Sequence, residues 1–243
     1  MPSLVAFLAP VKKLSLNRAA ADKIRQGIVS GAVAPGARLT EIALASRMGL
    51  SRGTIRAALQ CLVAEGLIVQ RPYIGWEVVS LTSRDAWELY TLRGALEALA
   101  ARLAAQTMNA GKRRRLEDAY RHLKAAANAD DPTAITDADL ALHKTIVSLS
   151  GHRRLMDQYA VVEQQVRMYI ASTNARLRKR QLVVQEHKPL VQAVVKGDSD
   201  AAERHAREHC AYAGDDLVAH LKRQERERAA QPEALAIAPA DAG

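Results

Sequence analysis

The chain has 243 residues, a net charge of +9 and 49% hydrophobic residues, enough for two modest domains with packed cores. One Phe and two Trp leave the core to Leu, Ala, Val and Ile, a composition that leans toward helix. No apolar run nears the roughly 20 residues of a membrane span. Residues 4–9, Leu-Val-Ala-Phe-Leu-Ala, are short and lack the basic leader of a secretory signal, so a cytoplasmic chain with no membrane partner is expected. The charge is uneven: residues 1–80 hold ten Lys/Arg against four Asp/Glu, the remainder twenty-five against twenty-two. The N-terminal third is therefore where a polyanion would bind. Cys61 and Cys210 match no metal spacing and read as buried free thiols in a reducing compartment.

In chain order, residues 1–16 read as a flexible lead-in. Asn17 to Ser30 carries Ala20, Ile24 and Ile28 at helical spacing, and Gly31 ends it. Pro35-Gly36 marks a turn. A short helix is expected over Glu41–Met48 with Thr40 as N-cap, then Gly49-Leu50-Ser51, then a second helix over Arg52–Ala64 that Gly66 stops. Leu67-Ile68-Val69 and Trp76-Glu77-Val78-Val79 are β-prone runs flanking Arg71-Pro72-Tyr73-Ile74-Gly75, a hairpin. Residues 80–83 form a hinge. Beyond it the period is helical throughout, with helices at about 84–107, 112–128, 133–149, 152–176, 179–196 and 198–222. Residues 223–243 are charged, then Ala/Pro-rich, and are expected to be disordered. The fold class is mainly α: an N-terminal winged helix-turn-helix over 17–80 and a C-terminal all-α helical bundle over 84–222.

Helix, tight turn, helix and hairpin is the layout that places its second helix in the major groove of DNA. Leu44, Ala45, Met48, Leu50, Ile55, Leu59 and Leu62 can pack the core. Ser51 can cap the second helix and leave its N-terminal amides facing phosphate. Arg52, Thr54 and Arg56 follow in the first turns, where Arg can fork onto guanine O6 and N7. The plainer reading makes Ser51 only a cap and Arg56 only a surface charge. Arg38 is expected to tie the turn to the first helix through nearby Glu41.

The stretches Pro35-Gly36-Ala37-Arg38-Leu39, Ser51-Arg52-Gly53-Thr54-Ile55-Arg56-Ala57-Ala58-Leu59 and Glu65-Gly66-Leu67-Ile68 closely resemble the GntR family of regulators over residues 18–80. The resemblance implies double-stranded DNA contacts by Ser51, Arg52, Thr54 and Arg56, with Gly75 at the wing tip.

In the helical region, Asp139 and His143 are four apart and share one helical face. His187 and His209 lie on two later helices that can pack against it. One carboxylate and three imidazoles suit a divalent transition metal such as Zn²⁺ or Ni²⁺ and suit Ca²⁺ or Mg²⁺ poorly. His205, one turn before His209, is an alternative ligand, and Asp139 with His143 can equally be a solvated residue beside a core histidine. Pro189 resists a helix interior, so that helix either begins near His187 or kinks there. Arg93 shares a face with Leu89, Leu96 and Ala100 and needs an anion if it points inward. Glu97, four residues on, is one such anion and a bound ligand is the other.

Residues 84–222 resemble the FadR-type subfamily of those regulators, with the six-helix (VanR-like) FCD ligand-binding domain. The resemblance rests on Leu92-Arg93-Gly94-Ala95-Leu96-Glu97, Asp139-Leu140-Ala141-Leu142-His143, Glu186-His187 and Arg207-Glu208-His209 in that order. It implies that Asp139, His143, His187 and His209 are metal ligands, and that an organic acid effector is gripped by metal and Arg93. The expectation is a homodimeric regulator, such as a repressor, on a palindromic operator and not an enzyme. Its rivals are a metalloenzyme with a DNA-binding appendage and a ligand-independent DNA-binding protein.

Overall fold

The computed structural model describes residues 16–129, 131–173 and 180–230. It divides the chain into two compact units, residues 1–80 and 81–243.

The first unit opens with α1 (Leu16–Val29), which buries Ala20, Ala21, Ile24 and Ile28. The turn at Pro35-Gly36 leads into β1 (Arg38–Leu39), a short strand that two residues of sequence could not announce. α2 (Glu41–Met48) is capped by Thr40, whose side chain accepts from the Ala43 amide, and ends on Gly49 at φ 63°. That left-handed residue is what turns the chain tightly into the next helix. α3 (Arg52–Ala64) buries Ile55, Ala58, Leu59 and Leu62. Leu44, Ala45, Met48 and Leu50 are only partly buried, because α2 is short and covers one side of the core. Arg25 of α1 forks onto Glu65 with two bonds of 2.6 Å, fixing α1 to the end of α3.

β2 (Ile68–Arg71) and β3 (Gly75–Val78) pair antiparallel from Ile68↔Val78 to Arg71↔Gly75, and β1 adds to the other edge of β3. The loop apex is Tyr73, fully exposed at φ 63°. Gly75, expected at the tip, instead opens β3, paired with Arg71 at φ 99°.

The second unit is a helical bundle: α4 (Ser83–Gln106), α5 (Ala110–Asn128), α6 (Pro132–Leu149), α7 (Arg153–Thr173), α8 (Arg180–Lys196) and α9 (Ser199–Ala230). α9 runs eight residues past the expected end at 222, so residues 223–230 are helical and not disordered. Leu217 and Leu221 are buried, and Glu225 accepts from both the amide and hydroxyl of Ser83 at 2.7 and 2.8 Å. The rest of the expected tail and lead-in, residues 231–243 and 1–15, lies outside the described residues. So do residues 174–179, which the fourth and fifth expected helices included at their ends.

Two large apolar clusters and a smaller one of Ala100, Val147, Leu155 and Tyr159 fill the bundle. The first large cluster joins Ala98, Ala101 and Ala105 of α4 to Leu116 and Leu123 of α5, Leu142 and Ile146 of α6, Leu190 and Val194 of α8 and Ala202 and Ala206 of α9. The second joins Leu89 and Tyr90 of α4 to Leu140 of α6, Val162 and Val166 of α7 and Leu217 and Leu221 of α9. Beside the second cluster α4 and α9 come close: a Cβ on Gly214 would sit 2.7 Å from Tyr90 Cβ. A polar layer lies between the two large clusters, and the site is built there.

Candidate metal and DNA-contact sites

His143 of α6, His187 of α8 and His209 of α9 converge, each offering a ring nitrogen within 4.8 Å of the others. Their ring centroids lie 4.2 to 5.0 Å apart. Asp139 borders this group, with Oδ1 3.0 Å from His187 Nε2 and 3.8 Å from His143 Nε2. His205 is turned away, 3.3 Å from Glu208, so His209 and not His205 enters the cluster.

Two neighbours set the imidazole tautomers. His187 Nδ1 lies 2.6 Å from the Val183 carbonyl, which can only accept, so Nδ1 carries the proton. His143 Nδ1 lies 2.7 Å from Glu97 Oε2, bent from a straight hydrogen bond but close enough to hold the proton on that side. Both Nε2 atoms then present lone pairs, and they are 2.9 Å apart. With Asp139 Oδ1 beside them, three acceptors face one another in a buried space. Such an arrangement calls for a proton or a cation between them.

The electrostatics agree. Burial pushes His209 well down, helped by the charges His187 and His143 would carry. Burial also pushes His143 down and outweighs the opposing pull of Glu97. For His187, burial works against the charged form, but the Asp139 carboxylate and the Val183 carbonyl together outweigh it and raise the pKa. Two of the three imidazoles are thus held neutral, the form that ligates a metal.

Pro189 sits inside α8 without displacing His187. Side-chain donors gather on the carbonyls just before it: His187 Nδ1 on Val183 O, and the Tyr120 hydroxyl on Val184 O at 3.0 Å.

Glu97 is the residue that sequence reasoning undervalued. It was only the plain partner of Arg93, and it is the hub of the polar layer. Oε1 accepts from Arg93 Nε at 2.6 Å and from the Tyr159 hydroxyl at 2.9 Å, while Oε2 accepts from Cys210 Sγ at 3.3 Å. Burial disfavours its charge, yet Arg93 and His143 hold the carboxyl well below its usual range. Arg93 does point inward, and its buried Nη2 has no hydrogen-bond partner. Its charge is close enough to disfavour protonation of all three histidines. Cys210 is buried as expected, but Cys61 is exposed on the outer face of α3.

In the first unit, Ser51 caps α3, accepting from the Thr54 amide at 3.1 Å, and its hydroxyl meets that of Thr54 at 2.8 Å. Arg52 and Arg56 are exposed on the same helix. The expected Arg38–Glu41 tie is not made. Glu41 is taken by Arg56 instead, with Nε and Nη2 each donating at 2.8 Å, and by Trp76 Nε1 of β3 at 3.3 Å. Arg38 lies in β1 opposite Glu77. The spacing of fifteen residues between Glu41 and Arg56 gave no local signal of their pairing.

A capped helix with exposed arginines, a preceding helix and tight turn, and a three-stranded wing define a winged helix-turn-helix transcription regulator joined to an all-helical domain. The chain belongs to the bacterial regulatory proteins of the GntR family: that DNA-binding domain matches over residues 16–78 and the FCD domain over residues 88–212. It is accordingly a regulator and not an enzyme, and its FCD domain fits the FadR-type subfamily. The HTH-type transcriptional regulator YdhC of Bacillus subtilis, itself uncharacterized, is 27% identical over 189 residues, 77% of this chain and 84% of that protein. The gluconate operon transcriptional repressor of Bacillus licheniformis is 24% identical, over 74% of this chain and 76% of its own length. A solved GntR regulator from Rhodococcus sp. RHA1 shares the fold, with a TM-score of 0.71 at 22% identity over 84% of this chain and 97% of that one. Among the described residues no helix is long and apolar enough to cross a membrane.

Proposed function

We propose that the chain is a metabolite-responsive regulator that binds a palindromic operator as a homodimer and changes its operator affinity when a small organic carboxylate enters the helical domain. The observation that carries this reading is the buried convergence of His143 Nε2, His187 Nε2 and Asp139 Oδ1, with His209 beside them and the unpartnered Arg93 Nη2 in the same polar layer. The donor set fits a divalent transition metal, Zn²⁺ or Ni²⁺, held by Asp139, His143, His187 and His209. A cation held there would supply positive charge to attract a carboxylate. Arg93 supplies a second anion contact, and Glu97 and the Val183 carbonyl orient the imidazoles.

On the DNA side, the cap residue Ser51 and Arg52, Thr54 and Arg56 of α3 face the operator, and Tyr73 and Gly75 belong to the wing. A tenfold change in operator affinity requires the carboxylate to favour one state of the protein by about 1.4 kcal/mol. The dimer reading draws support from the helical unit, where Trp87, Leu92 and Leu99 of α4 and Tyr212 of α9 are large, apolar and exposed. Light scattering of the full chain is expected to give the mass of two chains.

The test is operator affinity, with an operator obtained by selection from random duplexes, measured with Zn²⁺ and a panel of small mono-, di- and tricarboxylates. At least one acid is expected to shift the wild type, and His209→Ala is expected to respond to none. A panel without effect on the wild type would favour ligand-independent DNA binding.

A further inference from the structure

Glu41 lies in the first turn of α2, on the part of the chain that carries the greatest excess of positive charge, and touches three elements at once. From α2 it takes the side edge of the Arg56 guanidinium on α3, through Nε and Nη2, and the indole N–H of Trp76 on β3. Arg52 Nη2 stands 3.7 Å away. The pairing with Arg56 holds the Glu41 carboxyl below its usual range, so it is ionised at neutral pH.

The geometry leaves Arg56 with a defined remainder. The side edge uses Nε–H and one Nη2–H. The second Nη2 hydrogen and one Nη1 hydrogen stay free and form the end edge of the guanidinium, while the other Nη1 hydrogen points back toward Cδ. That edge is a pair of parallel donors of the kind that matches guanine O6 and N7. An exposed arginine with no such brace spends rotamer entropy when it docks; here the plane is set beforehand. A carboxylate at a phosphate-facing surface also carries a cost, because it repels the polyanion wherever no base contact compensates.

We propose that Glu41 is a specificity-determining positioning residue: it clamps Arg56 so that its end edge reads one base pair in each half-site, and its charge weakens sequence-independent binding. The proposal rests on the reading of α3 as the DNA-contacting helix.

The experiment selects preferred duplexes from a randomised library with full-length wild type, Glu41→Gln and Arg56→Ala. Affinities for the wild-type winner and for a random duplex are then measured over a range of salt. Arg56→Ala is expected to flatten the preference at one base pair per half-site. Glu41→Gln is expected to flatten the same position, lowering the winner-to-random affinity ratio about tenfold. Its affinity for the random duplex should be unchanged or tighter, and its unfolding temperature close to wild type. Glu41→Gln keeping the preference that Arg56→Ala loses would overturn the proposal and leave the reading of α3 intact. So would equal weakening on both duplexes with a lowered unfolding temperature, the result of a purely structural role. Arg56→Ala keeping every preference would remove both the proposal and the part of that reading it rests on. If Glu41→Gln does not fold, Glu41→Asp keeps the charge, withdraws the carboxylate by one methylene, and is read by the same loss of preference.

Discussion

The two units place their polar chemistry in opposite environments. In the DNA-reading unit the side chains of Arg52 and Arg56 are 62% and 54% exposed; in the helical unit those of Arg93 and Glu97 are 4% and 3% exposed. A surface arginine is solvated when idle and needs little from the fold beyond a direction. A buried one needs its counter-ion at all times, because an unpaired buried charge costs several kcal/mol. Function and stability should therefore separate cleanly in the first unit and be entangled in the second.

The largest effect is expected where the comparison is sharpest. Glu97→Ala strands Arg93 and frees His143, Tyr159 and Cys210 of their shared acceptor. It should destabilise the helical unit by about 3–5 kcal/mol in denaturant unfolding. Adding Arg93→Met in that background should recover part of the loss, since it removes the stranded charge. A Glu97→Ala protein as stable as wild type would break the comparison.

Next come the surface arginines. Arg52→Ala and Arg56→Ala should each weaken binding to the selected operator by about 10- to 100-fold at fixed salt, while the unfolding temperature stays within a few degrees. Wild-type affinity in both would remove α3 as the reading helix. A large stability loss in either would erase the contrast between the units.

The smallest effect is a pH dependence confined to the helical unit. His143 and His209 have folded pKa values below the ordinary imidazole value near 6.5. The stability they contribute is therefore present above that value and is lost as pH falls through the window below it. His187 is raised and runs the other way, giving stability that is complete below about 6.5 and is lost as pH rises through its folded value. With two groups against one, chelator-treated protein is expected to unfold at a lower temperature at pH 5.5 than at pH 7.5. The reverse order would mean that the His187–Asp139 pair dominates the site.

The contrast also explains what was readable in the sequence. Helix-turn-helix boundaries were visible because local signals set them: Thr40 and Ser51 as caps, Gly49 between the helices, and Gly66 after α3. The histidines were visible because Asp139 and His143 are four apart on one face, and because metal-binding residue types are few. Features decided by distant partners were not visible. Glu41 finds Arg56 fifteen residues away and Trp76 thirty-five away, so the nearer Arg38 looked the natural partner. Beyond Arg93, four residues before it, Glu97 gathers side chains from α6, α7 and α9, which no spacing rule connects. β1 is two residues long and exists only because β3 offers an edge. α9 continues past 222 because Ser83, 142 residues earlier, is held by Glu225, whereas composition alone reads that stretch as disordered.

The central claim is that three histidines and an aspartate from α6, α8 and α9 hold a metal in the buried layer. It is tested most directly by elemental analysis of protein purified without chelator, alongside His143→Ala, His205→Ala and His209→Ala. About one divalent transition metal per chain is expected in wild type and in His205→Ala, with sharp loss in His143→Ala and His209→Ala. A wild type that holds no metal and takes up neither Zn²⁺ nor Ni²⁺ when these are supplied would contradict the account.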